Sequence, residues 1–220
     1  MNIAIDGPSG AGKSSLAKAI AKRLGIVYVD TGALYRTIGL YMKQHGVSPK
    51  DEAAVTAALA GVELSLIFRD GAQHILLCGE DVGDTIRTPE MSMYASAVSA
   101  IPAVRTFLLD TQRRVARECS VVMDGRDIGT VILPNAECKI FLTASPEARA
   151  RRRTAEMHEK GHAITYEEVL AQMNERDTND STRKVAPAVA AKDAVLLDNS
   201  DLSPEETLEA ALAIITRTGA

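Results

Sequence analysis

The stretch Gly7-Pro8-Ser9-Gly10-Ala11-Gly12-Lys13-Ser14 stands between a short apolar segment, Ile3-Ala4-Ile5, and an amphipathic segment that begins near Lys13. The first segment predicts a strand, and the second predicts a helix that ends at Gly25, a typical C′ glycine. Three glycines let the backbone turn inward, so that successive amide N–H groups point at one place. The helix start adds N–H donors and the positive end of its dipole. The stretch therefore predicts a phosphate-binding loop for a nucleoside triphosphate.

Two side chains of this loop have predicted tasks. Lys13 supplies a mobile cation for the β- and γ-phosphates, and the Ser14 hydroxyl is placed to ligate Mg²⁺. Asp124 ends a later apolar segment, as a carboxylate that orders Mg²⁺ and its waters would. An Asx turn before Gly125 is the alternative explanation of Asp124. The predicted ATP site comprises Gly7, Pro8, Ser9, Gly10, Ala11, Gly12, Lys13, Ser14 and Ser15.

The composition narrows the class of protein. The chain has 220 residues, 46% of them hydrophobic and 25% charged, as in a globular protein with a sizeable core. The net charge of −4 argues against a dedicated nucleic-acid-binding protein. No apolar run reaches membrane-spanning length and the first strand leaves no room for a signal peptide, so we expect a cytoplasmic protein. Cys78, Cys119 and Cys138 are expected to be buried apolar residues in a reducing compartment.

Strand and helix patterns alternate along the chain. Beyond the first strand, core strands are expected at 26–29, 121–123, 139–142 and 194–197, with helices between them. Five short strands alternating with helices predict a parallel sheet with helices on both faces.

A two-residue period interrupts this order from Val62 to Arg87 and predicts an inserted hairpin with its turn at Arg69-Asp70-Gly71-Ala72. Capping boxes at Thr165 and Ser203 predict two helix starts, and Ser48 followed by Pro49 predicts a third. The helix from Thr165 is expected to end near Asp177.

Arginines outside the phosphate loop indicate a second phosphorylated substrate, because two polyanions repel and a phosphoryl group in transfer gathers charge on its oxygens. Arg36 and Arg126 follow core strands at their carboxyl ends, where open α/β sheets bind ligands. A run from Arg149 to Arg153 fits a phosphate clamp on a lid better than a nucleic-acid patch, since no aromatic residues interleave it. Solvated helix faces are an equally good explanation of three others, Arg113, Arg114 and Arg117.

Four blocks together resemble the bacterial cytidylate kinase family: the phosphate loop, Asp30-Thr31-Gly32-Ala33-Leu34-Tyr35-Arg36, Asp124-Gly125-Arg126-Asp127-Ile128-Gly129-Thr130, and Arg176-Asp177-Thr178-Asn179-Asp180-Ser181-Thr182-Arg183. The resemblance covers essentially the whole chain. It implies a P-loop NTPase fold with an inserted antiparallel and helical segment that binds the nucleoside monophosphate, and a short helical lid. The implied division is a core of 1–31, 103–148 and 177–220, a monophosphate-binding segment of 32–102, and a lid of 149–176.

The resemblance also implies an acceptor site. Cytosine would be faced by Ser96, Arg105 and Asp127, and the acceptor phosphate by Arg36, Arg126 and Arg183. Arg176 and Asp180 would address the ribose and complete the closed site, which Thr31 also lines. The lid arginines, Arg149 and Arg153 among them, would cover the donor phosphates. Arg126, Arg153 and Arg176 would join Lys13 in catalysis, and Asn199 stands where the family is expected to carry threonine, at a position without assigned chemistry.

The implied reaction transfers the γ-phosphoryl group of ATP, with Mg²⁺, to CMP or dCMP and gives ADP with CDP or dCDP. A phosphate oxygen is already a nucleophile, so catalysis would consist of positioning and charge neutralisation. We expect a monomer that binds neither nucleic acid nor membrane. Two alternatives remain: a kinase that acts on UMP, dTMP or a small metabolite alcohol, and a nucleotide-dependent switch whose arginines contact a macromolecule.

Overall fold

The computed structural model describes residues 1–69, 72–159 and 161–219 of the chain. The chain forms two compact units. The first unit contains residues 1–26 and 120–220, and the second contains residues 27–119. The finer division into core, monophosphate-binding segment and lid stays a prediction.

A five-stranded parallel sheet confirms the predicted α/β class. Within the first unit, β1 pairs in parallel with β6 on one side and with β7 on the other, and β7 pairs with β8. Because β1 is central, Ile3, Ala4 and Ile5 are fully buried. The five strands are β1 (Asn2–Asp6), β2 (Val27–Asp30), β6 (Val121–Asp124), β7 (Cys138–Thr143) and β8 (Val195–Asp198).

Helices fill most of the remaining described chain. Both predicted capping boxes are confirmed, with Thr165 and Ser203 each bonded reciprocally to a glutamate three residues later. The helices are α1 (Lys13–Leu24), α2 (Thr31–Gln44), α3 (Glu52–Ala58), α4 (Pro89–Ser99), α5 (Pro102–Glu118), α6 (Pro146–Glu159), α7 (Tyr166–Thr182) and α8 (Pro204–Thr218).

The predicted start of α3 is wrong. The helix begins at Glu52 instead of Pro49, because the Asp51 carboxylate accepts a hydrogen bond from the Ala54 N–H at 3.0 Å. The Ser48 side chain does not cap this helix: its hydroxyl accepts a long bond from the Lys50 N–H at 3.4 Å, and its carbonyl accepts from the Asp51 N–H at 3.1 Å. An aspartate one position before the helix is an effective cap, so it displaces the earlier serine.

The predicted end of α7 near Asp177 is also wrong, since the helix continues to Thr182. Hydroxyl side chains in the last part of the helix bond back to its carbonyls. The Thr178 hydroxyl donates to the Asn174 carbonyl at 2.8 Å, and the Thr182 hydroxyl donates to the Thr178 carbonyl at 2.7 Å. Arg176 and Asp180 consequently lie one turn apart on a single helix.

The second unit contains the predicted antiparallel hairpin. β3 (Leu64–Arg69) pairs with β4 (Ala72–Leu77), and the two turn residues Asp70 and Gly71 lie outside the described residues. A third strand, β5 (Glu80–Asp81), pairs with β4. Two residues are too few for a two-residue period, so the sequence pattern did not predict β5.

Two of the three cysteines contradict the expectation of burial. Cys78 and Cys119 are exposed, and only Cys138 is buried. Cys78 occupies a turn with φ of 49°, and Cys119 is the C-cap of α5. Both lie at the end of an element rather than on its apolar face.

Membrane-spanning length is not reached by any single helix among the described residues. Helices α4 and α5 taken together reach the necessary length and apolar composition, but they are bent by 102° at the break between them.

Candidate active site

The phosphate loop follows β1 and ends at α1, as the sequence predicts. Gly7 has φ of +146°, and a Cβ atom there would lie 1.9 Å from the Leu142 carbonyl oxygen. Gly12 is the N-cap of α1 with φ of +90°. Both positions exclude larger residues, because a side chain would clash at the first and be strained at the second.

Lys13 lies inside this loop with its side chain buried, and its Nζ donates to the Pro8 carbonyl at 2.7 Å. Burial holds the pKa of Lys13 well below its usual range, and the positive charges of Arg126 and Arg176 lower it further. The carboxylates of Asp124 and Asp6 oppose this shift. Three cations therefore converge at the loop, where a phosphate group would relieve their mutual repulsion.

Ser14 and Asp124, the two predicted Mg²⁺ ligands, are in contact. The Ser14 hydroxyl donates to Asp124 Oδ2 at 2.8 Å at the end of β6. In the described ranges 1–69, 72–159 and 161–219, no group of three or more His, Cys, Asp or Glu side chains could hold a metal ion. Mg²⁺ prefers oxygen ligands and usually keeps several waters beside substrate phosphates, so one hydroxyl and one carboxylate fit its needs.

Asp180 gathers three of the predicted site arginines. Its carboxylate accepts a bond from Arg126 Nε at 2.9 Å, and lies 4.0 Å from nitrogens of Arg176 and of Arg183. Arg183 also approaches Asp127, with 3.9 Å between Nη2 and Oδ1. Asp127 and Asp180 are buried. The first unit therefore brings together all five acceptor-site residues that the family resemblance places in it.

The two predicted lid arginines differ. Arg149 is buried and donates to the Ala144 and Ser9 carbonyls at 2.9 Å and to Asp177. Arg153 is half-buried and pairs with Glu156, three residues further along α6, at 2.8 Å. Arg149 thus braces the phosphate loop itself, whereas Arg153 stands at the surface of the helix.

The second unit holds Thr31, the first residue of α2, and Arg36 further along the same helix. The two carboxylate oxygens of Asp30 have different partners. Oδ1 caps α2 by accepting from the Ala33 N–H at 2.9 Å, and Oδ2 accepts from Arg36 Nη2 at 2.8 Å. Thr31 is buried. The Arg36 guanidinium is therefore oriented by the same aspartate that caps the first turn of α2.

Arg105 is held differently in the same unit. Its guanidinium lies over the Tyr35 ring, 5.6 Å from the centroid, and donates to the Ser99 carbonyl at 3.1 Å. The Ser99 hydroxyl in turn donates to the Ser96 carbonyl at 2.9 Å. The predicted base-binding residues Arg105 and Ser96 are therefore joined through one intervening serine.

The sequence matches a known protein family over nearly its full length. The family model for cytidylate kinase matches residues 3–217, which is nearly the full chain. The chain belongs to the cytidylate kinase family. Among curated members, the cytidylate kinase of Fervidobacterium nodosum is 51% identical over 97% of this chain and 95% of its own. That of Caldicellulosiruptor bescii is 47% identical over the same shares.

A solved structure supports the fold alone. An uncharacterised protein from Eubacterium ventriosum aligns with all of this chain and 98% of its own, with a TM-score of 0.53 and 15% sequence identity.

Three residues that contact the phosphate loop or its neighbours were absent from the predicted cytidylate kinase site. Asp177 accepts a bond from the Ser9 N–H at 3.1 Å, and Asn199 donates to the Ala11 carbonyl at 3.1 Å. Arg152 holds Asn199 through its side-chain and main-chain oxygens at 3.2 and 2.6 Å. We assign Asn199 no chemistry from the sequence, and the structure gives its buried side chain a contact with the loop backbone. The sequence offered one signal for two of these residues: Asp177 and Arg152 are next in the chain to the predicted site residues Arg176 and Arg153.

Proposed function

We propose that the protein transfers the γ-phosphoryl group of ATP to CMP or dCMP, and that it does so in the cytoplasm as a monomer. The observation that carries this proposal is the convergence of Lys13, Arg126 and Arg176 at the phosphate loop, with Asp180 and Arg183 adjoining. A hydrolase or switch needs about one arginine near the transferring group, whereas two phosphorylated substrates need several.

On the donor side, the loop from Gly7 to Ser15 would hold the triphosphate through its N–H groups and Lys13. Ser14 and Asp124 would hold Mg²⁺, which when bound neutralises charge on the donor phosphates. Arg149 and Arg153 are proposed to serve the same side. Arg149 would act by fixing the carbonyl of Ser9 and thereby the loop, and Arg153 by reaching the phosphates from the surface of α6.

On the acceptor side, Arg126 and Arg183 would hold the CMP phosphate while Arg176 and Asp180 orient the ribose. Asp127 would accept from the cytosine amino group and repel the O4 oxygen of uracil, which favours one base and rejects the other. Thr31, Arg36, Ser96 and Arg105 of the second unit are proposed to bind the acceptor as well. An attacking phosphate oxygen needs no general base, so these contacts position and neutralise rather than transfer protons.

The test is ADP release measured with a panel of acceptors: CMP, dCMP, UMP, dTMP and a small metabolite alcohol. The proposal expects the largest kcat/KM for CMP or dCMP. Preference for another acceptor would reassign the substrate, and ATP hydrolysis unaffected by any monophosphate would favour a switch protein. Salt-independent sedimentation as a single monomeric species would support the proposed oligomeric state.

A further inference from the structure

Asp6 is a buried carboxylate with no task in the reaction described above. It is the last residue of β1, directly before Gly7 of the phosphate loop, and only 3% of it is exposed. Its Oδ1 accepts from the Ile128 N–H and its Oδ2 from the Gly129 N–H, both at 2.7 Å. Both carboxylate oxygens are therefore used on two consecutive backbone donors.

These two donors begin a π-helical turn, Ile128–Ile132, directly after Asp127. The preceding residue of β1, Ile5, accepts from the Gly125 N–H through its carbonyl at 3.0 Å. Consecutive residues of β1 thus hold the segment Gly125–Gly129 at both ends. The two residues between the held ends are Arg126 and Asp127.

Gly129 allows the close approach that this arrangement requires. A Cβ atom at this position would lie 3.1 Å from the Cδ of Lys139 and 3.4 Å from Asp6 Oδ2. The Lys139 ammonium group is turned toward Asp193 and the Pro134 carbonyl, so its methylenes face Gly129. The backbone at Gly129 is accordingly enclosed between Lys139 and Asp6.

A carboxylate suits these two donors better than the amide of the same shape. A carboxylate accepts at both oxygens, whereas an asparagine would present one oxygen and one NH₂ donor. The surroundings of Asp6 disfavour its negative charge. Burial raises the pKa of Asp6 to about 6, and the nearby Asp127 charge adds to the rise. The two amide bonds and the charge of Lys13 oppose that rise.

We infer that Asp6 is a positioning residue for acceptor recognition, because it fixes Arg126 and Asp127 relative to the phosphate loop through the Ile128 and Gly129 amides. This inference rests on the proposed function, in which Arg126 holds the acceptor phosphate and Asp127 reads the base. It assigns Asp6 no contact with either substrate.

The test compares Asp6→Asn with Asp51→Asn in the full chain. Asp51 accepts one backbone N–H as the cap of α3, and asparagine caps helices equally well, so this matched variant should behave as wild type. For Asp6→Asn, we expect kcat/KM for CMP to fall about ten- to hundredfold, the range for a lost bond to a charged group. The CMP-to-UMP ratio of kcat/KM should narrow, while KM for ATP stays within about threefold.

The CMP-to-UMP ratio of kcat/KM shows whether Asp6 positions the acceptor-binding residues or serves only the stability of the fold. If CMP, UMP and ATP parameters deteriorate by one factor together with the urea unfolding midpoint, the positioning role is overturned. Should Asp6→Asn not fold, Gly129→Ala displaces the same backbone with Asp6 intact, and an unchanged CMP-to-UMP ratio in that variant would equally overturn it. Wild-type protein without acceptor-dependent ADP release would instead refute the proposed function, so the two failures are distinguishable.

Discussion

The predicted site arginines of the first unit share one carboxylate, whereas those of the second unit have separate partners. In the first unit, three guanidinium groups lie within 4.0 Å of one carboxylate, that of Asp180. In the second unit, Arg36 has its own carboxylate partner in Asp30, and Arg105 contacts a carbonyl and an aromatic ring. Even with Asp127, which lies 3.9 Å from Arg183, the three guanidinium groups outnumber the carboxylates beside them, whereas the pair of Arg36 and Asp30 is neutral. The first arrangement suits charge that develops during transfer, and the second suits recognition of a substrate that is already formed.

The largest expected effect tests the first unit. We expect Lys13→Ala to lower kcat by about 10³-fold, because it removes the buried ammonium group from the phosphate loop. Lys22→Ala, at an exposed position on the same helix, should leave kcat unchanged. The measurement is steady-state ADP release together with urea unfolding. A matching loss of cooperative unfolding would show that Lys13 serves the fold instead.

The buried carboxylate of Asp6 should make the stability of the protein depend on pH. Because the pKa of Asp6 is raised from 3.8 to about 6 in the folded protein, its contribution to stability is full below 3.8 and is lost as pH rises through 6. Each unit by which the pKa differs between the folded and unfolded protein corresponds to about 1.4 kcal/mol, so wild type should lose about 3 kcal/mol of stability relative to Asp6→Asn between about pH 3.5 and 7. Urea unfolding of both proteins across this range measures the difference. A difference that does not vary with pH would contradict the shift.

A pair of substitutions tests the contrast directly. Arg126→Ala should lower kcat about ten- to hundredfold, since it removes charge from the shared cluster. Arg36→Ala should raise KM for CMP by a similar factor and leave kcat within about threefold of wild type. The reason is that Arg36 would contact the acceptor equally in the ground state and in the transition state. Arg87→Ala, at an exposed position in the second unit, is the control. If both variants affect kcat equally, the contrast between the units does not hold.

Base selection should depend on Asp127 to a smaller extent. Asp127→Asn keeps the shape, loses the charge and can donate to the uracil O4 oxygen, so kcat/KM for CMP should fall and its advantage over UMP should narrow. The expected change is about 1–3 kcal/mol, the usual cost of an unpaired buried polar group. Both acceptors are assayed on wild type and variant. Equal losses for CMP and UMP would show that Asp127 does not read the base.

The smallest effect is expected at the surface of α6. Arg153 is 40% exposed and already paired with Glu156, so Arg153→Ala should lower turnover by about three- to tenfold without weakening CMP binding in the absence of ATP. Arg114→Ala, at an exposed arginine of α5, provides the matched control. Isothermal titration with CMP and turnover assays with ATP separate the two quantities. Turnover equal to that of wild type would place Arg153 outside the donor site.

Sequence alone determined the elements whose causes are local. The phosphate loop, the alternation of strands and helices, and the capping boxes at Thr165 and Ser203 each depend on a few neighbouring residues, through backbone freedom, hydrophobic period or a cap bond. The two wrong boundaries, at α3 and α7, arose where a second local bond competed with the first, as with Asp51 and the hydroxyls of Thr178 and Thr182.

Only the tertiary structure decided which side chains act together. Ser9 and Asp177 are 168 positions apart, Ala11 and Asn199 are 188 apart, and Asp6 reaches Ile128 across 122. No local pattern encodes such pairs, because parallel strands bring distant segments to one edge of the sheet through long crossover connections. The same topology buries Arg149 beside the phosphate loop, where its guanidinium donates to the Ser9 carbonyl and to Asp177.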